Sequence, residues 1–108
     1  MALRTVTDAS FDKDVLNSPK PVLVNFRAEW SDPCRQIAPT LEAIAAEHGD
    51  TIEIVTLDID HNPATAAEYG VTSIPTMNVY QNGKVVQTII GAKPRSALER
   101  ELESFLSA

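Results

Sequence analysis

The sequence predicts an α/β fold: a central mixed sheet of five strands flanked by four helices. Three observations carry this expectation. Short runs rich in Val, Ile and Leu, each of strand length, alternate with amphipathic stretches along the chain. An Asn82-Gly83 pair separates the last two strand-like runs, the signature of a tight hairpin. The size and make-up, 108 residues with 44% hydrophobic and 22% charged, suit one compact domain over 1–108. Strands joined through helices pair in parallel, and the hairpin adds an antiparallel pair at one end.

Taken in order, residues 3–7 form a short opening strand, and Asp8 is placed as N-cap of a helix over 9–16. Pro19 and Pro21 stop that helix. Residues 22–28 follow as a strand whose Val22-Leu23-Val24 run and Phe26 point to burial on both faces. A helix over 33–48 carries Ile37, Leu41, Ile44 and Ala45 on one side, with Pro39 expected to kink it and Gly49-Asp50 to end it. Residues 52–59 make another central strand. Asn62 then caps a short helix that Pro63 opens and Gly70 closes. Residues 76–80 and 84–90 are the hairpin strands, and Pro94 opens a last helix in which Leu98, Leu102, Phe105 and Leu106 recur at helical spacing. The order is β-α-β-α-β-α-β-β-α.

Charge and composition exclude several functions. Nine Lys and Arg against fifteen Asp and Glu give a net charge of -6, which repels phosphate backbones, so no nucleic-acid partner is expected. No run reaches the roughly 20 apolar residues of a membrane span. The N-terminus turns polar too early for a secretory signal, which points to the cytoplasm. One cysteine, Cys34, excludes an internal disulfide and any zinc site built from several thiolates. His48 and His61 have no second ligand at metal-binding spacing, so neither a metal nor a cofactor is expected. Asp58 and Asp60 read as solvent-facing or capping groups, and Glu99, Glu101 and Glu103 beside Arg100 as a solvated face.

The segment from Arg27 to Arg35 lies between a buried strand and a helix N-terminus. Cys34 falls in the first helical turn, where backbone N–H groups and the helix dipole favour a thiolate. A free cysteine equally well packs as a small buried hydrophobe. Ser31 and Asp32 are good N-cap residues and Pro33 suits an early helical position, so the same loop also reads as a helix cap built for stability.

Trp30-Ser31-Asp32-Pro33-Cys34 is similar to the Trp-Cys-Gly-Pro-Cys motif of thioredoxins. The resemblance extends over about residues 6–105. It takes in Val22-Leu23-Val24, Pro39, Ile59-Asp60-His61-Asn62-Pro63 and Tyr69-Gly70-Val71. It also includes Ser73-Ile74-Pro75-Thr76, which looks like the family's cis-proline loop, and the pairs Asn82-Gly83 and Gly91-Ala92. It implies the thioredoxin fold and a disulfide-exchange chemistry that uses two cysteines, one attacking a substrate disulfide and one resolving the mixed disulfide. Ser31 stands at the attacking position and Cys34 at the resolving one, so a dithiol cycle within this chain is not possible.

Other departures point the same way. Asn25 stands where the family usually has a buried aspartate, Thr56 where a lysine often pairs with it, and Arg27 where a tryptophan is usual. Asn25 and Thr56 are expected to satisfy each other by hydrogen bonding. Asp32 replaces a glycine and competes with a Cys34 thiolate for the helix dipole.

The resemblance further implies a shallow apolar patch for extended protein or peptide segments, formed by Trp30, Pro33, Ile74, Pro75, Gly91 and Ala92. Arg27, Glu29, Asp32 and Arg35 charge its rim. The reading is a thioredoxin-like monomer with a degenerate redox site that acts by binding. The alternative is a monothiol oxidoreductase in which Cys34 works with an external thiol.

Overall fold

In the computed structural model, which describes residues 3–107, five strands form one sheet in the order β1-β3-β2-β4-β5. Met1, Ala2 and Ala108, which belong to the domain expected over 1–108, lie outside the described residues. The strands are β1 (Arg4–Thr5), β2 (Val22–Arg27), β3 (Glu53–Asp58), β4 (Thr76–Gln81) and β5 (Lys84–Ile90). β1 and β2 run parallel to β3, whereas β4 runs antiparallel to both β2 and β5. Asn82 and Gly83 turn the β4–β5 hairpin with φ of 55° and 79°, the left-handed pair that a type I′ turn requires.

Alternation along β2 divides the core into two layers. Leu23 faces a layer with Ile37, Leu41 and Ile44 of α1 (Asp32–His48), Leu98 of α3 (Arg95–Glu101), and Leu102. Val22, Val24 and Phe26 face the other, with Phe11, Val15 and Ala66 of α2 (Pro63–Glu68). Helices thus cover both faces, because a strand buried on both sides presents alternate residues to each. The Phe11, Tyr69 and Tyr80 rings meet at 5.1–5.7 Å in the second layer, two of the three pairs edge to face.

The helix expected over 9–16 differs. Its helical residues are Asp12–Leu16, and the Asn17 N–H bonds the Asp12 carbonyl at 3.0 Å, a π-type spacing. Asp8 does not cap it. Thr7 and Ser10 instead bond reciprocally, each backbone N–H donating to the other's hydroxyl, at 2.9 and 3.1 Å. Asn62 does not cap α2 through its side chain either. The Asp8 carboxylate takes that role, accepting from the N–H groups of Ala64 (3.2 Å) and Thr65 (2.9 Å). The last helix breaks at Leu102 into α3 and α4 (Glu103–Leu106). α1 runs through Pro39 and ends at Gly49, whose φ of -59° is right-handed.

Candidate functional site

The parallel and antiparallel pairings bring the C-terminal ends of β2, β3 and β5 and the start of β4 to one end of the sheet. After Ala28 the chain turns, the Ser31 N–H bonding the Ala28 carbonyl at 3.2 Å, and enters α1. Ser31 is the N-cap, with φ -91° and ψ 117°. Its Oγ accepts the N–H of Cys34 at 3.4 Å, and its carbonyl accepts the N–H of Arg35 at 3.1 Å. The cap expected of this loop is therefore made by Ser31, with Asp32 and Pro33 inside the first turn. Asp32 instead pairs with the Arg35 guanidinium, which also donates to the Glu29 carbonyl at 2.6 Å. Arg35 thus ties the turn to the helix that follows it.

Burial separates the two candidate chemical groups from solvent. Ser31 is 6% exposed and Cys34 1%, Cys34 packing inward with Ile37 and Leu41 on the core side of α1. Trp30, by contrast, is 67% exposed. Its indole N–H donates to the Asp60 carboxylate at 2.8 Å, so the ring is held across the mouth of the loop. Asp60 was not legible as part of the site, since the two residues lie 30 apart and meet only because β2 and β3 are neighbours. That loop is fixed in turn: the Ile59 N–H bonds the Arg27 carbonyl at 2.9 Å, and Asp58 accepts the Asp60 N–H at 2.9 Å. Burial raises the Asp58 carboxyl, but the Asp60 N–H and His61, whose Nδ1 lies at 3.2 Å, outweigh it and hold the group below its ordinary value.

On the other side of β2 lies the Ile74–Pro75 loop, whose peptide bond is cis. Thr76 Oγ1 donates to the Ser73 carbonyl, and the Gly91 N–H donates to the Pro75 carbonyl at 2.8 Å. Gly91 has φ +95°, a conformation that favours glycine. Of the six residues expected in the patch, Trp30, Pro33 and Ala92 are exposed and Ile74 and Gly91 half-buried. Pro75 is buried, so it contributes through its backbone and not its ring. Ile90, 60% exposed beside Gly91, extends the apolar surface; its place in an edge strand gave no sign of this in the sequence.

Beneath the loop, Asn25 and Thr56 stand opposite each other in the β2–β3 register. The mutual hydrogen bond expected of them is not made: Asn25 is 1% exposed and its Oδ1 has no partner. Arg27 is half-buried, and its guanidinium has no ion pair among the described residues. Away from this end, His48 does acquire neighbours. Ligand atoms of Glu47, His48 and Glu99 lie within 4.8 Å of one another, an approach that spacing along the chain could not show. Arg95 pairs with both carboxylates. Among the described residues, no helix is long and apolar enough to cross a membrane.

The sequence model of the Thioredoxin family matches residues 2–104. The chain is 69% identical over 98 residues to a thioredoxin of Streptomyces clavuligerus, covering 91% of each. It is 53% identical over 103 residues to a thioredoxin of Mycolicibacterium smegmatis, covering 94% of this chain and 92% of the relative. With a thioredoxin of Porphyra purpurea it shares 47% over 107 residues, 99% of this chain and 100% of the other.

Proposed function

Because the chain belongs to the thioredoxin family, we propose that it acts by binding extended protein segments and runs no dithiol cycle of its own. The face that does so is built from Trp30, Pro33, the Ile74–Pro75 loop, Gly91 and Ala92. The observation that carries the reading is the state of Ser31. At the position where the family places its attacking thiol there is a hydroxyl, which neither ionises usefully near neutral pH nor forms a disulfide. That hydroxyl is buried and serves as the cap of α1. Trp30 and Ile90 are open to solvent, which supports an apolar binding face beside it. Backbone groups beside a proline loop offer an extended chain strand-like pairing, which gives affinity with little sequence demand. In this reading the protein is a cytoplasmic monomer that needs no metal or cofactor.

The monothiol alternative requires a Cys34 thiolate that a substrate disulfide can reach. At 1% exposure the sulfur has no such access, which weighs against that alternative.

Reduction of insulin disulfides tests the proposal, with the native chain and Ser31→Cys assayed side by side. The native chain is expected to give only the reductant background, and Ser31→Cys to gain turnover, because the face that holds the substrate is already there. Turnover by the native chain overturns the reading and makes Cys34 a working monothiol. Two inert proteins leave binding as the question, answered by titrating extended peptides against the single tryptophan's fluorescence; no response there overturns the reading.

A further inference from the structure

The binding face is asymmetric in charge, and the sheet order explains how. Its β4–β5 side, with Ile74, Pro75, Ile90, Gly91 and Ala92, carries no charged residue. Its β3 side carries Asp58 and Asp60, and the motif loop between them brings Glu29 and Asp32. Two of these four carboxylates are paired locally with a basic side chain: Asp32 with Arg35, and Asp58 with His61. Glu29 and Asp60 are not. Both are exposed, and no cation pairs with either among the described residues. Asp60 touches Trp30 as the acceptor of its indole N–H, and Glu29 precedes Trp30 in the turn. That bond uses one edge of the ring and fixes its orientation, leaving the 67% exposed indole as a platform.

We propose that Trp30, Asp60 and Glu29 form a receptor for a lysine or arginine side chain of the bound polypeptide. The cation lies over the indole face, drawn by the ring quadrupole and by two carboxylates that have no basic partner of their own among the described residues. The apolar residues of the same segment then lie on the uncharged β4–β5 side. The partner is thus an extended segment in which basic and apolar side chains sit close together, and the net charge of -6 steers it in. This rests on the reading of the face as a polypeptide-binding surface.

Calorimetric titration with three peptides of equal length tests it. Each has a central Val-Leu pair, flanked on both sides by Lys, by Gln or by Glu. At low salt the Lys peptide is expected to bind roughly fivefold more tightly than the Gln peptide, and the Glu peptide more weakly than either. The Lys-to-Gln affinity ratio is expected to fall by about half or more in Asp60→Asn and in Glu29→Gln. Equal affinity for the Lys and Gln peptides overturns the inference and leaves the binding face standing. A Lys preference that survives in both variants also overturns it, since the general negative field is then the cause. If none of the three peptides binds, the binding face itself fails and the receptor with it.

Discussion

Asn62 and Asp8 each satisfy the other's end of the chain: Asn62 Oδ1 accepts the backbone N–H of Asp8 at 2.9 Å, while the Asp8 carboxylate caps the helix that follows Asn62. Asn62 Nδ2 also donates to the Asp58 carbonyl at 3.0 Å, so this one amide joins the end of β3 to the segment after β1. The arrangement explains why both residues fail as local caps. Their side chains are used across more than fifty residues of sequence: Asp8 caps the helix that local pattern assigns to Asn62, and Asn62 holds the backbone of Asp8. It also stiffens the base of the loop that carries Asp60, and through Asp60 the ring of Trp30.

The Asp8 carboxylate has a measurable signature. The Thr65 hydroxyl is the largest influence and holds its carboxyl below the ordinary value; burial opposes it, and the N–H groups of Thr65 and Ala64 add to the depression. A group depressed in the folded state contributes stability that is complete above its unfolded value. That contribution is lost as pH falls through the folded one. Asp8→Ala is therefore expected to lower Tm by a few degrees near neutral pH. The gap from the native chain should close as the pH drops below about 4. Thermal melts of both proteins across that range check it; a gap independent of pH would show that the carboxylate's charge is not what caps the helix.

Asn25 offers the opposite case. Its Oδ1 is desolvated in the central strand without a hydrogen bond, a cost that an apolar side chain does not incur. Valine is close to asparagine in size and suits a strand. Asn25→Val is expected to stabilise the protein by about 1 kcal/mol in chemical denaturation. A loss of stability instead would mean that the amide is satisfied in solution, with water as the partner to look for.

How far the sequence reveals this molecule depends on the range of the interaction. Strand and helix order, the Asn82-Gly83 turn and the two-sided burial of β2 are set by periodicity and local backbone preference, and they are legible residue by residue. Ser31 as a cap is legible for the same reason, being three residues from the N–H it accepts. Asp60 under Trp30, Asp8 over α2 and the meeting of His48 with Glu99 are contacts between distant segments. They exist only once β3 has been laid beside β2 and α3 beside α1. The missing Asn25–Thr56 bond is instructive in another way. Register placed the two residues opposite each other as expected, yet neighbouring positions on parallel strands do not by themselves bring two polar tips into bonding geometry.

Gly91 links the backbone to the binding face. A Cβ added there would meet nothing within 4 Å, so the effect of Gly91→Ala is one of conformation and not of crowding. With φ at +95°, alanine is expected to cost about 1 kcal/mol or more of stability. Because the Gly91 N–H holds the Pro75 carbonyl, the same substitution should weaken binding of an extended peptide. Denaturation and peptide titration on the one variant check both. Lost stability with unchanged binding would remove Gly91 from the face.

Cys34 provides the sharpest contrast between the two chemistries considered for this loop. A sulfur 1% exposed, on the inward side of α1 behind the Ser31 cap, is reached by a reagent only when the helix start opens. Alkylation of the native chain near neutral pH is therefore expected to be at least about tenfold slower than that of the denatured chain. Removing the cap should raise the rate. Ser31→Ala loses the 3.4 Å bond to the Cys34 N–H, which is long for a hydrogen bond, and should cost about 0.5 kcal/mol, the low end for an N-cap. The alkylation rate should then rise by about twofold, since the opening equilibrium shifts by the same free energy. Rapid alkylation of the native chain would mean that Cys34 is accessible after all, and it would return the monothiol mechanism to first place.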